Sequence, residues 1–395
     1  MSAAAPGAAA RPGGAPAGPV ASAANRFDLC AGAAAFVEAL RAELAHCHES
    51  LWVQFSTFEG DASGTELADL LLAQAARGVD VRLLVDHYSD VIVNDILPFV
   101  VQRRRELDAE RTRTAALLAR LEAGGVGVRR TAPPGRFRRY LLYRDHKKMV
   151  VVDGRVAFVG GLNVSDHNYG WRDFMVRIEG PLATDVASDF AATWDARRVS
   201  LDRSGPGDFA LNQAPGRASI GEEVVAMIGR AQRTIVLESP SLLGDRVEAA
   251  LVAAARRGVD VTLIAPARHN RWIFRVWVRA THRRLARVRV TIHGYRGSGG
   301  MTHAKLLLVD DRASFGSYNF FGLEGLTQKE LNIFTADPTL VTQLRALVST
   351  ALADSAIVPA PTRTFGRFSY RLVERIVVAW TRRLLRDPSW KARYA

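Results

Sequence analysis

Thiols are scarce in this chain. Only two cysteines, Cys30 and Cys47, occur among its 395 residues. Their spacing matches neither a metal site nor a redox pair, so the sequence gives no sign of cysteine-based chemistry. So few thiols in a chain of this length fit a reducing compartment.

Long apolar runs are also missing. No segment approaches the ~20 consecutive apolar residues that a membrane-spanning helix needs. Residues 1–24 are rich in Ala, Gly and Pro and have neither a cationic start nor a leucine core. That composition predicts a disordered tail and not a signal peptide. We therefore expect a protein that is soluble or peripheral to a membrane.

One polar pattern is present twice. It reads His-x-Lys-x4-Asp, lies on an apolar run and leads to a Gly-x-x-Asn turn, first at His146, Lys148, Asp153 and Asn163 and again at His303, Lys305, Asp310 and Asn319. Because alternate side chains of a strand share a face, the histidine and lysine of each copy point the same way. A single His-x-Lys pair is most often a surface feature. Two matched copies predict one active site built from two halves.

The residue types indicate the chemistry of this site. Two imidazoles and two ammonium groups in one pocket suit an anion that is attacked and released. One histidine can attack phosphorus while the other protonates the leaving oxygen, and the lysines and asparagines stabilise charge on the non-bridging oxygens. No metal or cofactor is required. A covalent phosphohistidine can pass its phosphoryl group to water or to an alcohol, so both a hydrolase and a transferase fit.

The paired pattern resembles the phospholipase D superfamily, and its first copy is similar to that of bacterial cardiolipin synthases in a short form without transmembrane helices. Trp171-Arg172-Asp173 and Arg177-Ile178-Glu179-Gly180-Pro181 also resemble that branch, and the likeness extends over residues 51–353. The resemblance implies that His146 is the nucleophile and His303 the general acid and base. Because the two copies are nearly equivalent, this order rests on the family's habit. The resemblance further implies phosphate binding by Lys148, Lys305, Asn163 and Asn319, bracing by Asp153 and Asp310, and orientation of the opposite histidine by Asp173 and Glu330.

The second copy departs from the family's spacing. Five residues separate Asp310 from Gly316, whereas six separate Asp153 from Gly160. A deletion within a strand would reverse the faces that follow it, unless the turn absorbs the change. We expect a tighter turn at Asp311-Arg312.

A second internal repeat supports a duplicated fold. Residues 76–85 match residues 256–265, and each reads as a helix end, a glycine stop and a strand. Together with the resemblance, this predicts an α/β protein of two phospholipase D-like repeats, each a mixed β-sheet flanked by helices, with the active site at their pseudo-twofold interface. The expected division is a disordered tail at 1–24, domains at 25–205 and 206–355, and a basic amphipathic segment at 356–395.

The positive charge lies in two segments. Residues 268–289 contain eight arginines and no acidic residue, and residues 363–393 carry nine Lys or Arg against two acids, within a chain of net charge +13. Both segments are amphipathic at helical spacing. In the later one we expect one basic and one apolar face, formed by Arg371, Arg375, Arg382 and Arg386 and by Val373, Ile376, Val377, Trp380 and Leu384. This pattern favours contact with an anionic membrane surface. The alternative is a pair of core-packed helices with solvated basic faces.

The function expected from these features is phosphatidyl transfer between two phosphatidylglycerol molecules, which gives cardiolipin and glycerol. We expect it on the cytoplasmic side of the inner membrane, with the protein bound peripherally. Another phospholipid donor, another alcohol acceptor or simple hydrolysis would use the same residues. A nucleic-acid phosphodiesterase is the competing class, since a pI near 10.4 suits a polyanion. The basic residues alternate with bulky apolar ones, so we expect no nucleic-acid partner.

Overall fold

The computed structural model describes residues 24–90, 104–133, 143–201, 207–243, 245–269, 272–322, 327–359, 366–384 and 386. The predicted tail lies outside these residues, except for Ala24. The N-terminal half contains strands β1 (Arg26–Ala31), β2 (Ser50–Phe55), β3 (Asp80–Asp86), β4 (Gly127–Thr131), β5 (Arg144–Asp145), β6 (Met149–Val152), β7 (Val156–Gly160) and β8 (Phe174–Glu179). Its helices are α1 (Ala33–Leu44), α2 (Ala62–Ala76), α3 (Arg104–Ala123), α4 (Asp166–Tyr169) and α5 (Pro181–Trp194).

The C-terminal half repeats this alternation. Its strands are β9 (Phe209–Gln213), β10 (Thr234–Glu238), β11 (Asp260–Pro266), β12 (Thr291–Tyr295), β13 (Leu306–Val309), β14 (Arg312–Gly316), β15 (Gln328–Thr335) and β16 (Ser355–Ile357). Its helices are α6 (Ser219–Arg230), α7 (Asp245–Arg256), α8 (Trp272–Ala286), α9 (Pro338–Ala353) and α10 (Gly366–Leu384). Across the described residues, no helix is both long enough and apolar enough to span a bilayer.

The two sheets share one topology. The first has the order β1-β8-β7-β6-β2-β3-β4, and the second contains the matching order β9-β15-β14-β13-β10-β11-β12, with β16 added beyond β12. Within each sheet parallel and antiparallel pairs coexist, as between β2 and β3 and between β2 and β6. The predicted α/β duplication with a mixed sheet in each half is therefore confirmed.

The glycine stops of the second repeat take the expected conformation. Helix α2 ends at Ala76 and α7 ends at Arg256, and in each case a glycine two residues later has positive φ, 86° at Gly78 and 93° at Gly258. Glycine adopts this left-handed conformation without the steric cost that a Cβ atom would bring. The chain can therefore leave each helix and enter β3 or β11 directly.

The hairpin turns absorb the missing residue of the second motif. In the first hairpin Val152 pairs with Val156, which leaves a three-residue turn, and in the second Val309 pairs with Arg312, which leaves two residues. The expected tighter turn is present, but it lies at Asp310-Asp311, one residue earlier than predicted. Arg312 already belongs to the returning strand. Because the turn takes up the deletion, the strand faces beyond it are preserved.

The inner faces of the two sheets contribute to one hydrophobic core. Alternate residues of the motif strands enter it, Met149 and Val151 from β6 and Leu306 and Leu308 from β13. The Phe174 and Phe315 rings, one from each half, lie 6.1 Å apart. The intervening residues of β6 and β13 pack outward into separate cores. Burial of apolar surface on both faces thus fixes the position of the two motifs relative to each other.

Candidate active site

His146 is held by the C-terminal half. It follows β5, a short strand of the first half that pairs in parallel with β15 of the second. The His146 backbone N–H donates a hydrogen bond to the Lys329 carbonyl oxygen at 2.8 Å. Its ring Nδ1 lies 3.1 Å and 3.2 Å from the two carboxylate oxygens of Glu330, which is fully buried. A donating Nδ1–H leaves Nε2 as the nitrogen with a lone pair.

His303 is held by the N-terminal half in the same way. Its backbone N–H donates to the Arg172 carbonyl oxygen at 2.7 Å, and its ring Nδ1 lies 2.7 Å from Asp173 Oδ2. The strand registers make the two carboxylates equivalent. Asp173 lies two residues before Met175, the partner of Gly160, and Glu330 lies two residues before Asn332, the partner of Gly316. Each half therefore supplies the acid that orients the histidine of the other.

The motif lysines are buried beside their histidines. The Lys148 ammonium donates to the His146 carbonyl oxygen at 2.5 Å, and the Lys305 ammonium donates to the His303 carbonyl oxygen at 2.5 Å. Lys305 Nζ also lies 3.0 Å from His303 Nε2. Both lysine residues are only 1% exposed. The structure thus places a lysine nitrogen donor next to each imidazole, where it can contact an anionic group.

The asparagines occupy the ends of the returning segments. The Asn163 side-chain oxygen Oδ1 accepts a hydrogen bond from the Ser56 hydroxyl at 2.9 Å, whereas the Asn319 backbone carbonyl oxygen accepts one from the Ser239 hydroxyl at 2.9 Å. Both asparagines are buried. The two serines follow equivalent strands, β2 and β10, and neither was assigned a role from the sequence. Phosphate binding by the asparagines stays a prediction.

The motif aspartates lie at the hairpin turns. Asp153 accepts hydrogen bonds from the backbone N–H groups of residues 48–50, and Asp310 accepts them from residues 232–234. These bonds hold the pKa of each carboxyl below its usual value against the opposing effect of partial burial. The contacts describe two braces that join each hairpin to the segment before the neighbouring strand. They place both aspartates in a structural position and not at the imidazoles.

Burial and positive neighbours set the protonation of His146. Desolvation is the main cause that lowers the pKa of this imidazole well below its usual range, and Lys148 and Arg144 lower it further. The pKa of Lys148 is also held well below its usual value, by burial and then by repulsion from Lys305. His146 is therefore a neutral imidazole near pH 7, the form that can act as a nucleophile.

The pKa of Asp173 is raised, and its ionisation predicts how turnover depends on pH below neutrality. Burial raises the pKa of Asp173 from 3.8 to about 6, against the lowering effect of Lys305. Above about pH 6 the side chain is a carboxylate that accepts the His303 Nδ1–H, and below this pH it is neutral. We expect turnover to fall as the pH drops through about 6. If turnover by Asp173→Asn still fell with decreasing pH around the same midpoint, the ionisation of Asp173 would not be the cause of the fall.

A buried ion pair between the halves was missed from the sequence. Arg172 Nε donates to Glu238 Oε1 at 2.9 Å, and the Thr302 hydroxyl donates to the same oxygen at 2.6 Å. Thr302 and Arg172 immediately precede His303 and Asp173, so this cluster supports the second histidine and its acid. The signal in the sequence is Glu238, an acidic residue at the end of the apolar strand β10. Without knowledge of its partner Arg172, an acidic residue at this position is expected to be exposed to solvent at the end of the strand.

Two further groups lie around the site. The Trp171 ring lies 5.6 Å from the His303 ring and 5.1 Å from the His167 ring, which gives one side of the site an aromatic wall. Among the described side chains, Glu59, Asp61 and Glu110 bring donor oxygens within 4.8 Å of one another, a set that could hold a cation. This set contains none of the motif residues.

Comparisons with known proteins agree with the geometry. The model of the cardiolipin synthase phospholipase D-like domain matches residues 40–194 and 224–351. Cardiolipin synthase A of Pseudomonas syringae pv. syringae (strain B728a) is 30% identical over 323 residues, which cover 76% of this chain and 63% of that protein. Cardiolipin synthase A of Pseudomonas aeruginosa (strain LESB58) is 30% identical over 353 residues, covering 84% and 68%. The chain thus spans 63% of the length of the first relative and 68% of the second.

Solved structures show the same fold at low sequence identity. Phosphatidylserine synthase of Haemophilus influenzae Rd KW20 superimposes with a TM-score of 0.64 at 11% identity and covers 91% of this chain and 94% of that one. Polyphosphate kinase of Porphyromonas gingivalis superimposes with a TM-score of 0.58 at 11% identity, covering 90% and 53%. With paired motifs, a duplicated sheet and a family model that matches both halves, this chain belongs to the cardiolipin synthase family of phospholipase D-like enzymes.

Proposed function

We propose that the protein transfers a phosphatidyl group between two phosphatidylglycerol molecules to give cardiolipin and glycerol. One observation carries the proposal: each motif histidine is oriented by a buried acid from the opposite half, with a buried lysine beside it. This arrangement supplies one nucleophile and one proton carrier in a single site. The similarity to cardiolipin synthases supports the choice of lipid substrates and of transfer over other phosphoryl chemistry.

In the first step Nε2 of His146 attacks the phosphorus of one phosphatidylglycerol. The bond between phosphorus and the headgroup glycerol oxygen breaks, and His303 gives that oxygen its proton. Glu330 stabilises the positive charge that develops on His146, because its carboxylate accepts the Nδ1–H. Lys148 and Lys305 offset the negative charge on the non-bridging oxygens. The products of this step are glycerol and a phosphatidyl group bound to His146.

In the second step a second phosphatidylglycerol resolves the intermediate. His303, now neutral, removes the proton from a headgroup hydroxyl, and that oxygen attacks phosphorus as the bond to His146 Nε2 breaks. Cardiolipin leaves and both imidazoles return to their starting states. Exclusion of water from the site would favour transfer to the alcohol over hydrolysis.

Lipid mass spectrometry after incubation with phosphatidylglycerol vesicles tests this function. We expect cardiolipin and glycerol from the wild-type protein and neither from His146→Ala or His303→Ala. Phosphatidic acid alone would replace the proposal with a phospholipase D-type hydrolase, and product formed only with another phospholipid or alcohol would change the donor or acceptor. Turnover of nucleic acid without turnover of lipid would favour the phosphodiesterase.

We propose that α10 brings the enzyme to an anionic membrane surface, with the protein peripheral on the cytoplasmic side of the inner membrane. The expected single apolar face of this helix is wrong in part. Val373 and Val377 pack against Trp277, Val278, Leu243 and Phe321, and Trp277 donates a hydrogen bond to Ser369 at 3.2 Å. Ile376 (60%) and Trp380 (40%) of the predicted face remain exposed, and they continue a row that begins with Phe368 (80%) and Leu372 (50%). The Leu384 side chain lies outside the described residues, as do those of Trp272, Phe274 and Arg271 in and before α8.

This exposed row has the properties of an interfacial helix. Its four large apolar side chains recur every fourth residue on a helix anchored to the protein by its other side. Exposed arginines, Arg371, Arg375, Arg382 and Arg383, accompany it. Apolar burial at the headgroup boundary and attraction to anionic lipids both strengthen binding of such a helix.

Loss of the exposed row should weaken membrane binding. We expect Leu372→Gln with Ile376→Gln to lower partitioning onto phosphatidylglycerol-containing vesicles by roughly tenfold or more, because about two buried side chains are lost from the interface. Ile357→Gln is the matched control, since Ile357 is 69% exposed but lies on β16. Vesicle sedimentation measures the effect. Equal sedimentation of the double variant and the control would show that the exposed row of α10 does not contribute to membrane binding.

A further inference from the structure

We propose that a cavity behind His146, on the opposite face of the sheet from its imidazole, is a binding site for a phosphate group. The cavity has a volume of about 280 Å³ and lies between α5 and the segment that joins β9 to α6. Its lining includes five cationic side chains and one acidic side chain, Lys147, Lys329, Arg197, Arg198, Arg217 and Asp189. The excess of positive charge around a concave space predicts an anionic ligand.

Lys329 distinguishes this cavity from an ordinary basic surface. Its side chain is only partly exposed, and burial lowers the pKa of its ammonium group. Among the residues that the structure describes, this ammonium has neither a hydrogen bond nor an ion pair, although Asp145 and Asp189 are close enough to raise its pKa. A half-buried ammonium without a bonded partner gains most from an anion that enters the cavity.

Lys147 differs because its bonds are already made. Its ammonium donates to Asp189 Oδ2 and to the Thr193 hydroxyl, both at 2.7 Å. Asp189 also accepts from Asn212 Nδ2 at 2.6 Å. The acidic side chain of the cavity is thus committed to two donors. Lys329 is left to bind the ligand, and Arg217 lies at the exposed rim of the cavity.

The cavity contains the sequence neighbours of both His146 and its acid, Glu330. Lys147 follows His146 and Lys329 precedes Glu330, so alternation along extended chains directs these lysines away from the imidazole and its acid. The His146 backbone N–H donates to the Lys329 carbonyl oxygen at 2.8 Å, at the junction of β5 and β15. An anion bound to Lys329 would hold this junction between the halves together.

The ligand class follows from charge and size. A phosphate dianion accepts several charge-assisted hydrogen bonds from Lys and Arg, and arginine forks match its oxygens in pairs. The volume is just below the ~300–1,000 Å³ typical of sites for drug-sized ligands, so a compact group fits better than a bulky headgroup. Free phosphate and the phosphomonoester of a phosphatidic acid both supply this chemistry. This inference does not depend on the reaction catalysed at the histidines.

Hydrogen exchange with mass spectrometry tests the site in the full-length protein. Inorganic phosphate and dihexanoyl phosphatidic acid are titrated separately against chloride at equal ionic strength. We expect the bound ligand to slow exchange in residues 214–219, the segment that contributes Arg217 to the lining of the cavity. The ligand that is effective at the lower concentration identifies the source. Lys329→Met should raise the concentration needed by roughly tenfold or more. Arg246→Gln is the matched control, since it removes an exposed charge on α7.

The variants decide between outcomes. Protection in the wild type and in Arg246→Gln that is lost in Lys329→Met supports the site, and Lys329→Arg should retain it because the charge remains. If Lys329→Met does not fold, Arg217→Gln at the exposed rim provides the comparison and should weaken protection. Protection absent from the wild type with both ligands would overturn the proposal. Protection in folded Lys329→Met equal to that of the wild type, or in Arg217→Gln where Lys329→Met does not fold, would also overturn it.

Discussion

Turnover of phosphatidylglycerol should fall by about 10⁴-fold or more in His146→Ala, because the nucleophile that carries the covalent step is removed. The neighbouring groups cannot replace it. Lys148 is committed to the His146 carbonyl oxygen, and His303 is oriented by Asp173 for proton transfer. Initial rates of cardiolipin formation by lipid mass spectrometry measure this loss.

His46→Ala is the matched control for this variant. His46 is exposed on the segment after α1, so its loss tests the effect of removing a histidine without touching the site. We expect wild-type turnover from this control. Circular dichroism and thermal unfolding establish that His146→Ala is folded. Cardiolipin formation by folded His146→Ala within tenfold of the control would exclude His146 as the nucleophile.

Arg172→Met should lower the free energy of unfolding by about 3–5 kcal/mol, because it leaves the buried Glu238 carboxylate without its positive partner. Arg172 is largely buried and Glu238 fully buried, so water cannot replace the lost guanidinium. The same substitution also removes the bond from the guanidinium to the Leu347 carbonyl oxygen in α9. Urea unfolding of the purified protein measures the change.

The double variant separates the charge effect from packing. Arg172→Met combined with Glu238→Leu removes both charges, and replacing a buried pair with apolar groups is often neutral or stabilising. We expect the double variant to recover most of the stability lost in Arg172→Met, with a coupling of at least about 2 kcal/mol. Arg41→Gln, at an exposed pair with Glu66, should change stability by less than about 1 kcal/mol. A loss of that small size in Arg172→Met would show that the buried pair does not support the site.

Much of this fold could be predicted because its determinants are local. The apolar strands after His146 and His303, the aspartate turns and the glycines after α2 and α7 each depend on a few adjacent residues. The duplication then relates the two halves without any knowledge of distant contacts. The position of the second turn differed by one residue, since strand pairing beyond Asp311 decides where the turn ends.

The contacts between the halves could not be obtained in this way. The pairing of β5 with β15 joins residues that are 184 positions apart in the sequence. Strand β5 has only two residues, which is too short for the alternation of polar and apolar residues that identifies a strand. The Arg172 and Glu238 pair likewise depends on how two sheets meet. In α10, the choice of inward-facing residues was set by contact with α8, which helical spacing alone does not specify.

Peptide mapping of the trapped intermediate tests the central claim, that one site uses His146 to carry the phosphatidyl group and His303 to hand it on. The experiment uses the wild-type protein with phosphatidylglycerol, denatured at alkaline pH during turnover, followed by mass spectrometry of its peptides. We predict a phosphatidyl adduct on the peptide that contains His146 and no adduct in His146→Ala. An adduct on another residue, or wild-type turnover by His303→Ala, would contradict the account.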